Sequence, residues 1–147
     1  MERFFEFVGN HLYLVIGFAV VTVLLVRDLL ESLTRKYKLV TPLQAVMLIN
    51  QEDAVVVDVR EPSEWDKGHI ADAKLIPLGK LEERLDELAP FKHQPVIVTC
   101  QSGTRSPAAC KTLQKAGFEK VTMLKGGMMA WEEANLPITK PKKHKGK

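Results

Sequence analysis

The sequence is poor in cysteine and carries little net charge. Two cysteines in 147 residues are too few for a disulfide-stabilised fold, so both are expected to be free thiols in a reducing compartment. A formal net charge of only +3 at pH 7 argues against a general nucleic-acid-binding surface, and no nucleic acid partner is expected. With charged residues at 27%, the composition is that of an ordinary folded α/β protein.

A second absence is local, because residues 7–26 contain no Asp, Glu, Lys or Arg. About 20 apolar residues in a helix span the hydrocarbon core of a bilayer. A cleaved signal peptide fits less well, since residues 1–6 are not a basic n-region and Arg27 follows where small residues would be needed. A buried core helix also fits less well, because a helix of this length in a soluble protein would show a polar face towards water and this run has none. The run therefore predicts an uncleaved anchor that contacts the lipid bilayer through residues 7–26.

Basic residues flank this anchor unequally. The N-terminal side has Arg3, whereas the C-terminal side has Arg27, Arg35, Lys36 and Lys38. Because loops rich in Lys and Arg stay in the cytoplasm, the N-terminus is expected outside and the soluble part in the cytoplasm.

The chain is predicted to divide into three parts. Residues 1–38 form the anchor and a juxtamembrane stalk, residues 39–138 form a folded domain, and residues 139–147 form a basic tail. The tail contains five lysines and no acidic residue. A solvated, disordered end and a segment that contacts acidic headgroups both remain open for it.

Strands and helices alternate along the domain. The strands predicted from apolar runs are residues 54–59, 74–76, 95–99 and 121–124. The run at residues 54–59 is continuous rather than alternating, which is typical of a parallel sheet covered by helices on both faces. Between them, Thr41 and Gln44 form the capping box of one helix, the leucines of 78–89 predict an amphipathic α-helix, and a further helix covers residues 105–117.

The most informative segment leads from a buried strand into Cys100, then a tight turn, then a helix. Ligands of open parallel sheets bind beyond the carboxyl ends of the strands. Both the positive end of the helix dipole and the inward-pointing amides of the turn favour a thiolate there. Gly103 permits the turn, and Arg105 adds a fixed positive charge. A free cysteine is more often buried and inert, but this combination of features favours a reactive Cys100.

Four motifs resemble those of the rhodanese-like sulfurtransferases, in the family's order, over residues 40–137. The motifs are Asp58-Val-Arg60 with Glu64-Trp65; Gly68-His69-Ile70 with Ala73 and Pro77; Cys100-Gln-Ser-Gly-Thr-Arg105-Ser106; and Leu124-Lys-Gly126-Gly127-Met-Met-Ala-Trp131. One departure is Asp72, where many members carry glycine. The resemblance implies an α/β rhodanese-like fold with a parallel five-stranded sheet flanked by helices. The preceding transmembrane helix is similar to that of bacterial single-pass membrane rhodaneses, which implies the inner (cytoplasmic) membrane.

The resemblance also implies a chemistry. Cys100 would take the outer sulfur of a small donor such as thiosulfate as a persulfide, and pass it to a thiol, to cyanide or to an acceptor protein. The substrate-binding residues implied are the loop residues Gln101, Ser102, Gly103, Thr104 and Arg105, with Arg60 as a further candidate. No metal or organic cofactor is needed.

Two other functions remain as alternatives. Four residues separate Cys100 from Arg105, one fewer than in the related phosphatases and arsenate reductases, so the smaller loop favours sulfur over a tetrahedral oxyanion. A non-catalytic, membrane-anchored binding or scaffold module is the second alternative. Among the other residues, His69 is expected to be structural, Asp58 and Arg60 to form an ion pair, and Cys110 to be a buried apolar contact rather than a resolving thiol.

Overall fold

The computed structural model describes residues 1–34 and 36–141. The chain divides into two compact units, Met1–Lys36 and Tyr37–Lys147. The predicted basic tail lies outside the described residues from residue 142 onward.

The first unit consists of two helices. Helix α1 covers Glu2–Asn10 and α2 covers Leu12–Thr34. The backbone leaves helical geometry at His11, with φ −129° and ψ 39°, so the apolar run 7–26 is divided by a break rather than forming one helix. In the part of the chain that the structure describes, α2 is the one helix long and apolar enough to cross a membrane, judged by length and composition.

The second unit is built on a parallel sheet of five strands flanked by helices, as predicted. The strands are β1 (Lys38–Val40), β2 (Val55–Asp58), β3 (Lys74–Leu75), β4 (Pro95–Thr99) and β5 (Lys120–Leu124). Their order across the sheet is β1-β5-β4-β2-β3, and all pairs are parallel. Strand β1 was not among the predicted strands, because three residues are too few to show a hydrophobic period.

Among the described residues of this unit, three α-helices lie between strands and a fourth follows β5. They are α3 (Pro42–Glu52), α4 (Pro62–Trp65), α5 (Ser106–Lys115) and α6 (Gly127–Glu133). The predicted capping box is formed at α3. The amide of Gln44 donates to Thr41 Oγ1 at 3.3 Å, and the amide of Thr41 donates to Gln44 Oε1 at 2.9 Å.

The prediction of an amphipathic α-helix over residues 78–89 was wrong. Two 3₁₀-helices, Leu78–Lys80 and Leu85–Phe91, occupy this segment instead. Pro90 lies inside the second one, where it cannot donate a backbone hydrogen bond and disfavours α geometry in the residue before it. Leu81 and Leu88 are nevertheless fully buried, so the apolar positions were predicted correctly although the helix type was not.

The hydrophobic core lies on both faces of the sheet. All five residues of β4 are buried. Val96 and Val98 face the cluster that contains Cys110 of α5, whereas Ile97 faces the cluster that contains Trp131 of α6. Strand β4 is therefore covered on both faces, and Cys100 directly follows its carboxyl end, between α5 and α6.

Candidate active site

Cys100 immediately follows β4, and α5 begins at Ser106. The intervening loop therefore consists of residues 101–105, and the helix that was predicted from residue 105 begins one residue later. Gly103 has φ +95°, in the left-handed region that is open to glycine at little cost. This conformation turns the Gly103 N–H inward, where it donates to Cys100 Sγ at 3.0 Å.

The loop favours the thiolate of Cys100. Burial alone would raise the pKa of this thiol, but hydrogen bonding by the Ser106 hydroxyl and by the backbone amides of Arg105, Ser106 and Gly103 outweighs it, so the pKa is lowered. Hydrogen bonds to the charged form are the physical cause. The Ser106 hydroxyl is itself buried, without a well-formed hydrogen bond to any residue that the structure describes, so no other described acceptor competes with the thiolate for it.

The start of α6 supports the loop from its other side. The amide of Met128 donates to the Cys100 carbonyl at 2.8 Å, and the amide of Met129 donates to the Gln101 carbonyl at 3.0 Å. This approach requires glycine at position 127, because a Cβ there would clash with the Cys100 carbonyl oxygen and lie 2.9 Å from that of Gln101. Gly126-Gly127 was recognised in the sequence as part of a motif, but its contact with the loop was not predicted.

Arg60 is buried beside the loop, and its guanidinium group hydrogen-bonds only to other groups of the described protein. It pairs with Asp58, with Nε and Nη2 both donating to the carboxylate, as expected. Its remaining N–H groups donate to the carbonyl of Gly68 at 2.9 Å, the carbonyl of Glu64 at 3.3 Å and Gln101 Oε1 at 3.1 Å. All five guanidinium donors are thereby occupied. Arg60 therefore holds Gln101 and the site wall, and its binding of a donor stays a prediction.

Arg105 makes a two-bond ion pair with Glu64 of α4. Its Nη1 donates to Glu64 Oε2 at 2.8 Å and its Nη2 donates to Oε1 at 2.7 Å. Chiefly because of Arg105, the pKa of Glu64 is lowered to about 2. Glu64 was not among the predicted site residues. Its signal in the sequence was its position three residues after Glu61, at the start of a short helix.

A pocket of about 510 Å³ adjoins the loop. Its lining residues are Arg60, Glu64, Lys67, Gly68, Gln101, Glu132 and Ile138. Ser102 and Thr104 are exposed at the rim of the loop, whereas Gln101 and Arg105 are half-buried. The structure thus places all the predicted loop residues around Cys100, with the open side of the site next to Gln101.

Two further groups near the loop are structural. The ring of His69 stacks on Trp65 with centroids 3.6 Å apart, its Nδ1 donates to the Trp65 carbonyl at 3.2 Å, and its backbone pairs with Thr139. Cys110 is fully buried in α5. Burial, and secondarily the negative charge of Cys100, raises the pKa of Cys110 to about 12.

Comparison with known proteins agrees with this arrangement. The family model of the rhodanese-like domain matches residues 41–134. The chain belongs to this family. Helix α4, the Cys100 loop and α6 all lie inside the matched region, whereas α1 and α2 lie outside it.

Relatives extend the comparison. The uncharacterized protein YibN of Escherichia coli (strain K12) is 39% identical over 143 residues, which cover 97% of this chain and 100% of YibN. A protein named sulfurtransferase from Allochromatium vinosum is 38% identical over 94 residues, covering 64% of this chain and 86% of its own. The crystal structure of a rhodanese-related protein from Thermoplasma volcanium superposes with a TM-score of 0.64 at 30% identity, covering 70% of this chain and 98% of its own. Together they support sulfur transfer in general as the class of activity.

Proposed function

We propose that this protein is a membrane-tethered sulfurtransferase that carries a persulfide on Cys100. The observation that carries the proposal is the set of hydrogen-bond donors around the Cys100 sulfur. The amides of Gly103, Arg105 and Ser106, together with the Ser106 hydroxyl, stabilise negative charge there. The same donors suit the terminal sulfur of a persulfide, which carries the negative charge once the sulfur has been transferred.

The proposed reaction has two half-steps. With thiosulfate as donor, the Cys100 thiolate attacks the outer sulfur, the S–S bond of the donor breaks, and sulfite leaves with the bonding electron pair. A thiol acceptor or cyanide then attacks the outer sulfur of the persulfide, and Cys100 leaves as a thiolate. Splitting one transfer into two displacements is covalent, ping-pong catalysis.

The size of the loop supports sulfur as the transferred atom. Four residues lie between Cys100 and Arg105, and the amides of this short turn converge on one sulfur. A phosphatase or arsenate reductase would need room for a tetrahedral oxyanion and a free guanidinium. Here the Arg105 guanidinium is paired with Glu64.

The tether of this proposal is α2. Its apolar part ends at Val26 and is followed by Arg27, so the positive-inside rule supports a cytoplasmic domain at the inner membrane. A C-terminal reporter that is active only outside the cytoplasm should stay inactive, and a cytoplasmic fluorescent reporter should be bright. The reverse pattern would contradict this orientation.

Sulfur loading of Cys100 tests the activity. The full chain in detergent micelles is incubated with thiosulfate, or with a thiol-borne persulfide, and digested for mass spectrometry. One additional sulfur atom is expected on Cys100 and none on Cys110. Release of thiocyanate with cyanide should follow.

Two cysteine variants test whether the activity depends on Cys100. Cys100→Ser should abolish sulfur loading and turnover, because serine has no nucleophile that can form a persulfide. Cys110→Ala is the matched control, and it should keep turnover while losing about 1 kcal/mol of stability through a small cavity. An unmodified Cys100 after incubation with both donors would contradict the proposal. Full rescue of a deletion phenotype by Cys100→Ser would favour the scaffold alternative instead.

A further inference from the structure

The positive charges around Cys100 are already matched by acidic groups of the protein. Arg60 is buried with Asp58, and its five donors are occupied. Arg105 is close enough to Cys100 for their charges to interact, and Glu64 holds it with two hydrogen bonds. Glu64 therefore offsets the charge of Arg105 and takes two of its donors, so an anionic donor gains less from Arg105 than it would from an unpaired guanidinium.

Glu64 is fixed in this position from three sides. Its Oε2 accepts from the backbone amide of Glu61 at 2.9 Å, as the third residue of the α4 capping box. Its backbone carbonyl accepts from Arg60, and its carboxylate accepts from Arg105. A carboxylate preorganised by several donors is a strong competitor for a guanidinium, because it loses little conformational entropy in the pair.

The remaining charges of the pocket do not offset this pairing. Lys67 and Glu132 also line it, and both are exposed. They have opposite signs, so a divalent oxyanion finds no fixed and unmatched positive charge among the described residues that line the pocket. A donor whose only negative charge is on its sulfur meets a smaller electrostatic cost.

We propose that Glu64 sets the donor selectivity of Cys100. Because it pairs with Arg105, it disfavours oxyanion donors such as thiosulfate. The favoured donors are then persulfides on a carrier thiol whose neighbouring groups are uncharged or basic. This inference rests on the proposed function and adds the class of donor.

The favoured half-step is balanced without an added oxidant or reductant. The Cys100 thiolate attacks the outer sulfur of R–S–SH, and the donor S–S bond breaks. The electron pair leaves with the carrier as R–S⁻, which solvent protonates, and the outer sulfur remains as the Cys100 persulfide. Thiosulfate reacts in the same way, with sulfite as the leaving group, so the two donors differ in charge and in leaving group.

Loading kinetics of the Glu64→Gln variant test the proposal. The full chain in detergent micelles is loaded at pH 7 with thiosulfate or with the persulfide of N-acetylcysteine amide, which has no charge apart from its sulfur. The substitution keeps the length of the side chain but removes the negative charge that holds Arg105. The KM for thiosulfate should fall about tenfold, the effect of one charge pair that is largely screened by solvent. The persulfide rate should change by a smaller factor, so that the preference between the two donors shifts towards thiosulfate.

Two further variants exclude indirect effects. Glu87→Gln is the matched control, because Arg84 and Glu87 form an ion pair of the same kind, at 2.7 and 2.9 Å, at the second 3₁₀-helix. It should leave the ratio of the two donors unchanged. Glu64→Asp keeps the charge but is one methylene shorter, so it should lower the KM for thiosulfate by less than Glu64→Gln does. This variant provides the measurement if Glu64→Gln does not fold.

The outcomes separate selectivity from activity. Equal changes for both donors, or an unchanged KM for thiosulfate in a folded Glu64→Gln protein, would overturn the role of Glu64. Failure of both donors to load Cys100 in the unsubstituted protein would instead overturn the proposed function.

Discussion

Cys100 and Cys110 differ in one respect that decides their chemistry. Both are fully buried in the same hydrophobic cluster, one at the end of β4 and the other inside α5. Burial pushes the pKa of both thiols upward, yet the pKa of Cys100 is lowered and that of Cys110 is raised to about 12. Cys100 has the amides of a tight turn and a hydroxyl as donors, whereas the amides around Cys110 are used within the helix. Hydrogen-bond donors, rather than exposure, therefore determine which thiol ionises.

The largest expected effect is the difference in alkylation rate between the two cysteines. The pKa of Cys100 lies below its ordinary value of 9.0 and that of Cys110 at about 12, so their thiolate fractions at pH 7 differ by about a thousandfold or more. Iodoacetamide labelling followed by mass spectrometry should modify Cys100 alone. In denaturant both should react alike. Equal labelling of Cys100 and Cys110 in the folded protein would contradict a difference in their pKa values.

The second-largest expected effect is a loss of persulfide formation when the contact between α6 and the Cys100 loop is disturbed. Gly127→Ala would place a Cβ in collision with the Cys100 carbonyl oxygen, so either α6 or the loop must move. We expect persulfide formation to fall about a hundredfold, since small displacements of reacting groups have effects of this order. Sulfur loading measured by mass spectrometry checks this.

Gly79→Ala is the matched control for this prediction. The space around a Cβ at position 79 is open, and the backbone there is not in the left-handed region. Sulfur loading should therefore be unchanged within about twofold, a free-energy difference of about 0.4 kcal/mol. A Gly127→Ala protein that loads as well as Gly79→Ala would show that the loop does not depend on α6.

The third effect concerns the Ser106 hydroxyl. Ser106→Ala removes one polar group that stabilises the Cys100 thiolate, so the pKa of Cys100 should rise. The alkylation rate at pH 7 should fall about threefold to tenfold, which corresponds to about 1 kcal/mol, the net worth of one ordinary hydrogen bond. The pH dependence of iodoacetamide labelling measures this shift. Ser106→Thr should retain most of the rate, because it keeps the hydroxyl. An unchanged pH profile in Ser106→Ala would assign the lowered pKa to the amides alone.

The sequence allowed the loop to be predicted better than its surroundings. Cys100, Gly103 and Arg105 lie within six consecutive residues, so their role follows from local turn chemistry. The contacts of Gly127 with the loop and of Glu64 with Arg105 join segments far apart in the chain, and no local pattern reports them. The short β1 strand was missed for a related reason, since its identity depends on pairing with β5 rather than on its own three residues.

The smallest expected effect is on stability in acid, and it concerns the ion pair that ties the Cys100 loop to α4. The pKa of Glu64 falls from 4.5 to about 2 on folding, so the pair stabilises the folded state fully above pH 4.5 and loses this contribution as the pH falls from 4.5 towards 2. Solvent screening of these partly exposed groups limits the contribution to about 1 kcal/mol. Urea unfolding at pH 7 and pH 3 should therefore show that the unsubstituted protein loses more stability on acidification than Glu64→Gln. If the two lose the same amount, the pair does not stabilise the fold, and Arg105 is free to leave Glu64 at little cost.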